Sequence, residues 1–217
     1  MFNEIKKAFK IISYGSAVKK QVAFAAFFAV IGIVIEAASK GANTIGGIYI
    51  CLSGIFAFQM ICSVDMSTLV QSSPYKKKIQ CSYPYRVTIP WIYISYAIIT
   101  LINWLGACND PSSYVIQSNC VLYNGIMLAI ILLYTSMAYK FFIVAMISMT
   151  ISVMAVTSLI GMRVETAILT FDNLFAASTI IGFAIVTVCS IAAVFITRKL
   201  YKYDLSKWAF RGMLRTN

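Results

Sequence analysis

The chain has 217 residues, of which 60% are hydrophobic and only 12% charged, and its formal net charge is +11. Charged residues are about half as frequent as in an ordinary soluble domain, and a domain of this size has no way to hide so much apolar surface from water, which excludes a soluble globular protein and assigns the excess to lipid. The basic excess alone would suit nucleic acid, but it sits at the ends of apolar runs, where it sets membrane orientation instead, so no nucleic-acid partner is expected.

Met1–Lys20 comes first. Phe2, Ile5, Phe9 and Ile12 recur at spacings of three, four and three and form one helical stripe, while Glu4, Lys6, Lys7 and Lys10 lie mostly off it. The pattern predicts a basic amphipathic helix flat on the inner leaflet, as an anchor or as an element that transmits motion, with a bend allowed at Gly15-Ser16. Met1–Gln21 lacks a short apolar stretch ending in a small-residue cleavage site, so insertion without cleavage is expected.

Six spans are then expected, because a helix needs roughly 20 apolar residues to cross the hydrocarbon core. They are Val22–Ala38, Ile45–Val64, Val87–Ala107, Cys120–Tyr139, Phe141–Gly161 and Leu174–Thr197. The fourth and fifth meet at Tyr139-Lys140 with almost no loop, which predicts a tight antiparallel hairpin. The small-residue spacings Ala25–Ala29 and Ser178–Gly182 suit close helix packing.

The segment between the second and third spans, Gln71–Thr88, is the longest inner connection. Ser73 is a suitable helix cap, Pro74 suits a first turn, and Pro84 disfavours helical geometry at Tyr83. A short rigid helix over Pro74–Ser82 is therefore expected. Tyr75 and Ile79 share a face at i and i+4, and Lys76, Lys77 and Lys78 cover most of the remainder. Three lysines that only bind anionic lipid would not need proline on both sides, which favours a docking element. At the far end, Arg198–Asn217 places Tyr201, Leu205 and Trp208 at i, i+4 and i+7, an anchoring helix at the interface.

The distribution of lysine and arginine orients the spans. With both ends inside, sixteen of the 18 basic residues fall on inner segments, leaving Lys40 and Arg163 outside. The outer loops, about Ser39–Thr44, Cys108–Asn119 and Met162–Asn173, are too short to house a domain. The fold expected is all-α: one transmembrane domain of six helices, with an interface helix before it and a cytoplasmic tail after it.

Within the spans, Glu36 and Asp65 lie near ends and are expected to reach water. Gln59, Asn103 and Asn124 lie deeper and are expected to hydrogen-bond between helices, with a translocation path as the alternative. Cys108 and Cys120 flank the second outer loop and are candidates for a disulfide if the outside is oxidising. No histidine and no CxxC pair occurs, so no metal site is expected. There is no GxxxxGK[ST], GxSxG or HExxH, so neither ATP binding of that kind nor catalysis is expected in this chain.

The layout resembles the small six-span permeases of type 2 ABC exporters, which lack their own ATPase. The likeness rests on the amphipathic Met1–Lys20, the stretch Ser73-Pro74-Tyr75-Lys76-Lys77-Lys78-Ile79, the short outer loops and the tail Leu200-Tyr201-Lys202-Tyr203-Asp204-Leu205-Ser206-Lys207. It implies that Pro74, Tyr75, Lys76, Lys77, Lys78 and Ile79 dock on a separate ATPase subunit that uses ATP and Mg. It also implies a second permease copy or a paralogue, a bacterial inner membrane, and outward movement of a peptide or small amphipath. The segment Met162–Asn173 departs from the family pattern, showing no clear pair of re-entrant helices, which disfavours glycan or large-lipid export. Two further classes remain: a non-transporting immunity or scaffold protein, and an ion-driven secondary transporter, which would want paired acids near midplane.

Overall fold

A computed structural model describes residues 10, 18–41, 44–65, 74, 76–138, 140–159, 166, 168–169 and 173–203. The stripe Phe2, Ile5, Phe9 and Ile12 lies outside these, as do Ser73, Tyr75, Asp204–Asn217 and most of Met162–Asn173. The described residues form seven α-helices and no strand. In chain order they are α1 (Val18–Ala38), α2 (Thr44–Asp65), α3 (Lys76–Cys81), α4 (Tyr83–Asn109), α5 (Tyr114–Ala138), α6 (Phe142–Leu159) and α7 (Leu174–Leu200), with a 3-10 turn at Pro111–Ser113 before α5.

Five of them, α1, α4, α5, α6 and α7, are long and apolar enough to cross a membrane. α2 is continuous for 22 residues and apolar over Thr44–Phe56. Their outward faces carry large apolar side chains: Phe27, Val144, Ile151, Met154, Ile180, Val188, Ile191 and Phe195 are all more than half exposed. Water would not tolerate a continuous surface of this kind, and lipid does.

α5 is the axis of the bundle. It packs against α2, α4, α6 and α7, and Val121, Tyr123, Leu128 and Leu132 on it are fully buried. Gly125 makes the α5–α7 crossing close, since a Cβ there would lie 3.0 Å from the Cα of Gly182. Ser178 and Gly182, the small pair anticipated on the last helix, are both buried. α1 lies mainly on α2, where Phe28 stacks on Phe56 at 5.1 Å and Ala25 and Ala29 are buried. α6 is the loosest member: only Ala145 is buried, and α6 leans on α5 through the Tyr123–Thr157 hydroxyl pair at 3.0 Å.

The hairpin between α5 and α6 is as tight as its sequence suggests. Lys140 N–H and Phe141 N–H both donate to the Met137 carbonyl. Elsewhere the helices begin earlier than hydropathy implies. α4 starts at Tyr83 and not at Val87, because Pro84 falls in its first turn, where a missing N–H costs nothing. The break thus falls at Ser82, and the short helix spans Lys76–Cys81 in place of Pro74–Ser82; Pro84 opens the next helix as well as closing this one. α5 starts at Tyr114 and not at Cys120. Asp110 Oδ1 accepts from Ser112 N–H at 3.1 Å and from its hydroxyl at 2.6 Å, reversing the chain so sharply that the expected loop Cys108–Asn119 is mostly helix.

Candidate functional site

Three features stand out, arranged along the bundle from end to end. The first is α3. Pro74, Lys77 and Lys78 are exposed, while Gln80 and Cys81 are buried. The Cys81 thiol lies 4.0 Å from the Thr197 carbonyl on α7, and the Tyr85 hydroxyl on α4 pairs with Thr197 Oγ1, which also donates to Ser136 O on α5 at 3.3 Å. The short helix is thus fastened to α7, lies against the ends of α2 and α4, and presents lysines outward. Of the six docking residues named above, Tyr75 and the side chains of Lys76 and Ile79 lie outside the described set.

The second is a cleft of about 630 Å³ between α4 and α7. Tyr93, Tyr96, Thr100 and Trp104 line one wall, and Phe175, Thr179 and Phe183 the other. Its surface is apolar save for a few hydroxyls: Tyr96 donates to Thr179 O at 3.0 Å, Tyr93 pairs with Thr187 Oγ1 at 3.0 Å, and Thr100 Oγ1 is buried without a partner among the described residues. The cleft opens sideways, towards the apolar outer surface, where Leu101 and Ile180 are exposed.

The third is a polar cluster at the end of the bundle opposite α3. Glu36, expected at a water boundary, has no exposed surface. The correction has a structural cause: α1 ends in a tight turn in which Lys40 and Gly41 have φ of 52° and 76°, and α2 restarts so close that it covers the side chain. Asn103 Nδ2 donates to Glu36 Oε1 at 3.0 Å and to Ile99 O at 2.9 Å. Asn124 Nδ2 donates to Cys120 O at 3.0 Å, and Gln117 Nε2 donates to Lys40 O at 3.0 Å and to Ser113 Oγ at 2.8 Å. Asn103 and Asn124 both border the α1–α2 junction, beside Gly41 and Gly47 respectively. Gln59 is not part of this group: it is half-buried on α2, twelve residues or about 18 Å along the helix from Gly47.

Cys108 and Cys120 are not joined. Both are free thiols, Cys108 exposed on α4 and Cys120 buried one turn and a half into α5. No group of three or more metal-ligating His, Cys, Asp or Glu side chains occurs among the described residues.

Glu36 and Gln117 are the members of this cluster that sequence reasoning missed as interior groups. A signal existed in the glycines facing them. Gly46-Gly47 opens α2 opposite Glu36 and Asn124, and Gly106 on α4 abuts Gln117. Removing the Cβ at those positions is what admits polar side chains into a helix contact.

These helices and their lipid-facing surface define an all-α, multi-pass membrane protein. No protein-family model, no curated protein and no solved structure matches the chain.

Proposed function

We propose that this chain is the membrane-spanning permease subunit of an ABC exporter. It crosses the membrane six times with both termini in the cytoplasm, and it moves a peptide or small amphipathic substrate outward. ATP is hydrolysed with Mg in a separate subunit, and a second permease copy or a paralogue completes the assembly.

The observation that carries this reading is the attachment of α3. Its exposed lysines are presented at one end of the bundle, and its buried residues hold α4 and α7, the two helices that wall the apolar cleft. A push on α3 therefore loads both walls at once, because packed helices move as rigid bodies. An acidic partner surface would complement Lys77 and Lys78, and the cleft suits the apolar part of an amphipath.

Two experiments test the reading. Purification in mild detergent is expected to recover an ATPase subunit, and reversing α3 with Lys77→Glu/Lys78→Glu, or blocking it with Tyr75→Asp/Ile79→Asp, is expected to lose it. Recovery of the chain without any ATPase, or no substrate-stimulated ATP turnover in the reconstituted assembly, would instead favour the scaffold or immunity role. Tags on the two ends are expected to be accessible from the same face of sealed vesicles.

A further inference from the structure

Glu36 carries its carboxylate inside an apolar bundle with no ion pair to any lysine or arginine among the described residues. A buried charge of this kind needs compensation. Lys40, the nearest basic residue in sequence, is exposed and lies toward Asp110. Cys51 and Cys120 are the titratable groups beside Glu36, and neither supplies positive charge.

The neighbouring amides make the deficit specific. Asn103 and Gln117 each donate to the two acceptors named above and Asn124 to one, which sets which end of each amide is oxygen. That leaves Asn103 Oδ1, Asn124 Oδ1 and Gln117 Oε1 buried with no protein donor among the described residues, and Glu36 Oε2 buried with only the Gly47 backbone N–H turned toward its carboxyl. Three of these oxygens border the start of α2 and the turn before it. Gly46 and Gly47 are consecutive on α2: a Cβ on the first would lie 2.6 Å from Glu36 Oε2, and on the second 2.2 Å from Asn124 Oδ1. A Cβ on Gly41 would lie 2.9 Å from Asn103 Oδ1, and Asn103 is already bonded to Glu36. The first turn of α2 and the α1–α2 turn are thus bordered by a carboxylate oxygen and two amide oxygens.

A group of idle acceptors around a single negative charge is what a cation requires. A proton on Oε2 would satisfy one further oxygen and leave the others unserved, whereas a metal ion takes several oxygens at once. A divalent ion would leave net positive charge in an apolar interior. The donor set is all oxygen and hard, with no imidazole and no thiolate needed.

We propose that this cluster binds a monovalent alkali cation, with Glu36 Oε2 supplying the charge and the Asn103 and Asn124 side-chain oxygens the neutral ligands. The ion ties α1, α4 and α5 together beside the first turn of α2, at the end of the bundle away from α3. The site is independent of the exporter reading and stands or falls without it.

Thermal unfolding of the full chain in detergent tests it, with sodium, potassium or choline chloride exchanged at constant pH and ionic strength. The unfolding midpoint is expected to rise with sodium or potassium and saturate, and to stay flat with choline. Glu36→Gln is expected to abolish the dependence, and Asn124→Ala to raise the cation concentration for half effect about tenfold, the loss of one ligand of ordinary hydrogen-bond strength. Equal midpoints in all three salts would overturn the proposal, and so would a midpoint that follows pH but not alkali cation, the result for a proton. Persistence of the full response in Glu36→Gln would overturn it too. The wild-type series decides by itself if a variant does not fold.

Discussion

Two glycines on the same helix are expected to respond oppositely to one methyl group. On Gly46 a Cβ would lie 2.5 Å from the Glu36 backbone nitrogen, 2.6 Å from Glu36 Oε2 and 2.8 Å from the Glu36 Cα. Two of those atoms are backbone, so relief requires α1 and α2 to move apart; overpacking of this kind costs about 1–3 kcal/mol, here in the upper half because no flexible side chain can yield. Replacing glycine by alanine in a helix returns up to about 1 kcal/mol. Gly46→Ala is therefore expected to lose about 1–2 kcal/mol net. On Gly54 the nearest atoms to an added Cβ are Ile92 Cγ1 at 3.7 Å and Ile131 Cγ2 at 3.8 Å, ordinary contact. Gly54→Ala gains helix propensity and dispersion contacts, and is expected to be stabilised by up to about 1 kcal/mol. At about 2–4 °C per kcal/mol for a chain of this length, the unfolding midpoints of the two variants should separate by several degrees around wild type. A Gly46→Ala protein as stable as Gly54→Ala would refute the close approach of α1 and α2 on which the polar cluster depends.

Three other outcomes are expected. Thr197→Val removes the hydroxyl shared by Tyr85 and Ser136 and should cost about 1–2 kcal/mol in denaturant unfolding, with faster exchange of the α3 amides. Lys140 is buried in the α5–α6 turn and its Nζ donates to the Tyr203 carbonyl. Lys140→Met should accordingly speed proteolytic cleavage of the chain after Tyr203, read by mass spectrometry. The Asp110 carboxyl is held below the usual aspartate range, first by the Ser112 hydroxyl and then by the Ser112 N–H. A depressed carboxylate contributes stability that is complete above its unfolded value and lost as pH falls through its folded value. The stability difference between wild type and Asp110→Ala is therefore expected at neutral pH and should shrink in acid, whereas a difference unchanged by acid would remove the carboxylate from the turn.

The helices that lie in lipid were legible because lipid asks little of a sequence beyond length and apolarity. α1, α6 and α7 begin and end within a few residues of the expected spans, and the Tyr139-Lys140 hairpin follows from the absence of loop residues. Errors concentrated where polar residues border a span. Tyr83–Arg86 and Tyr114–Asn119 read as connection because hydropathy falls there, yet both are helix. In the first case Pro84 serves as a helix opener, and in the second Ser118 and Asn119 face the interior. A window average weighs how polar a residue is and not which way it points.

Charge and apolarity along the chain determined the class of protein, its approximate spans and the existence of a separate lysine-bearing helix between the second and third of them. Those are properties of short segments against a uniform solvent. The burial of Glu36 was decided only in three dimensions: Asn103 is 67 residues away from it and Gly47 opens a different helix. Whether a carboxylate near a helix end meets water or protein depends on how closely the next helix returns, and that is fixed by the packing of glycine backbones from separate elements.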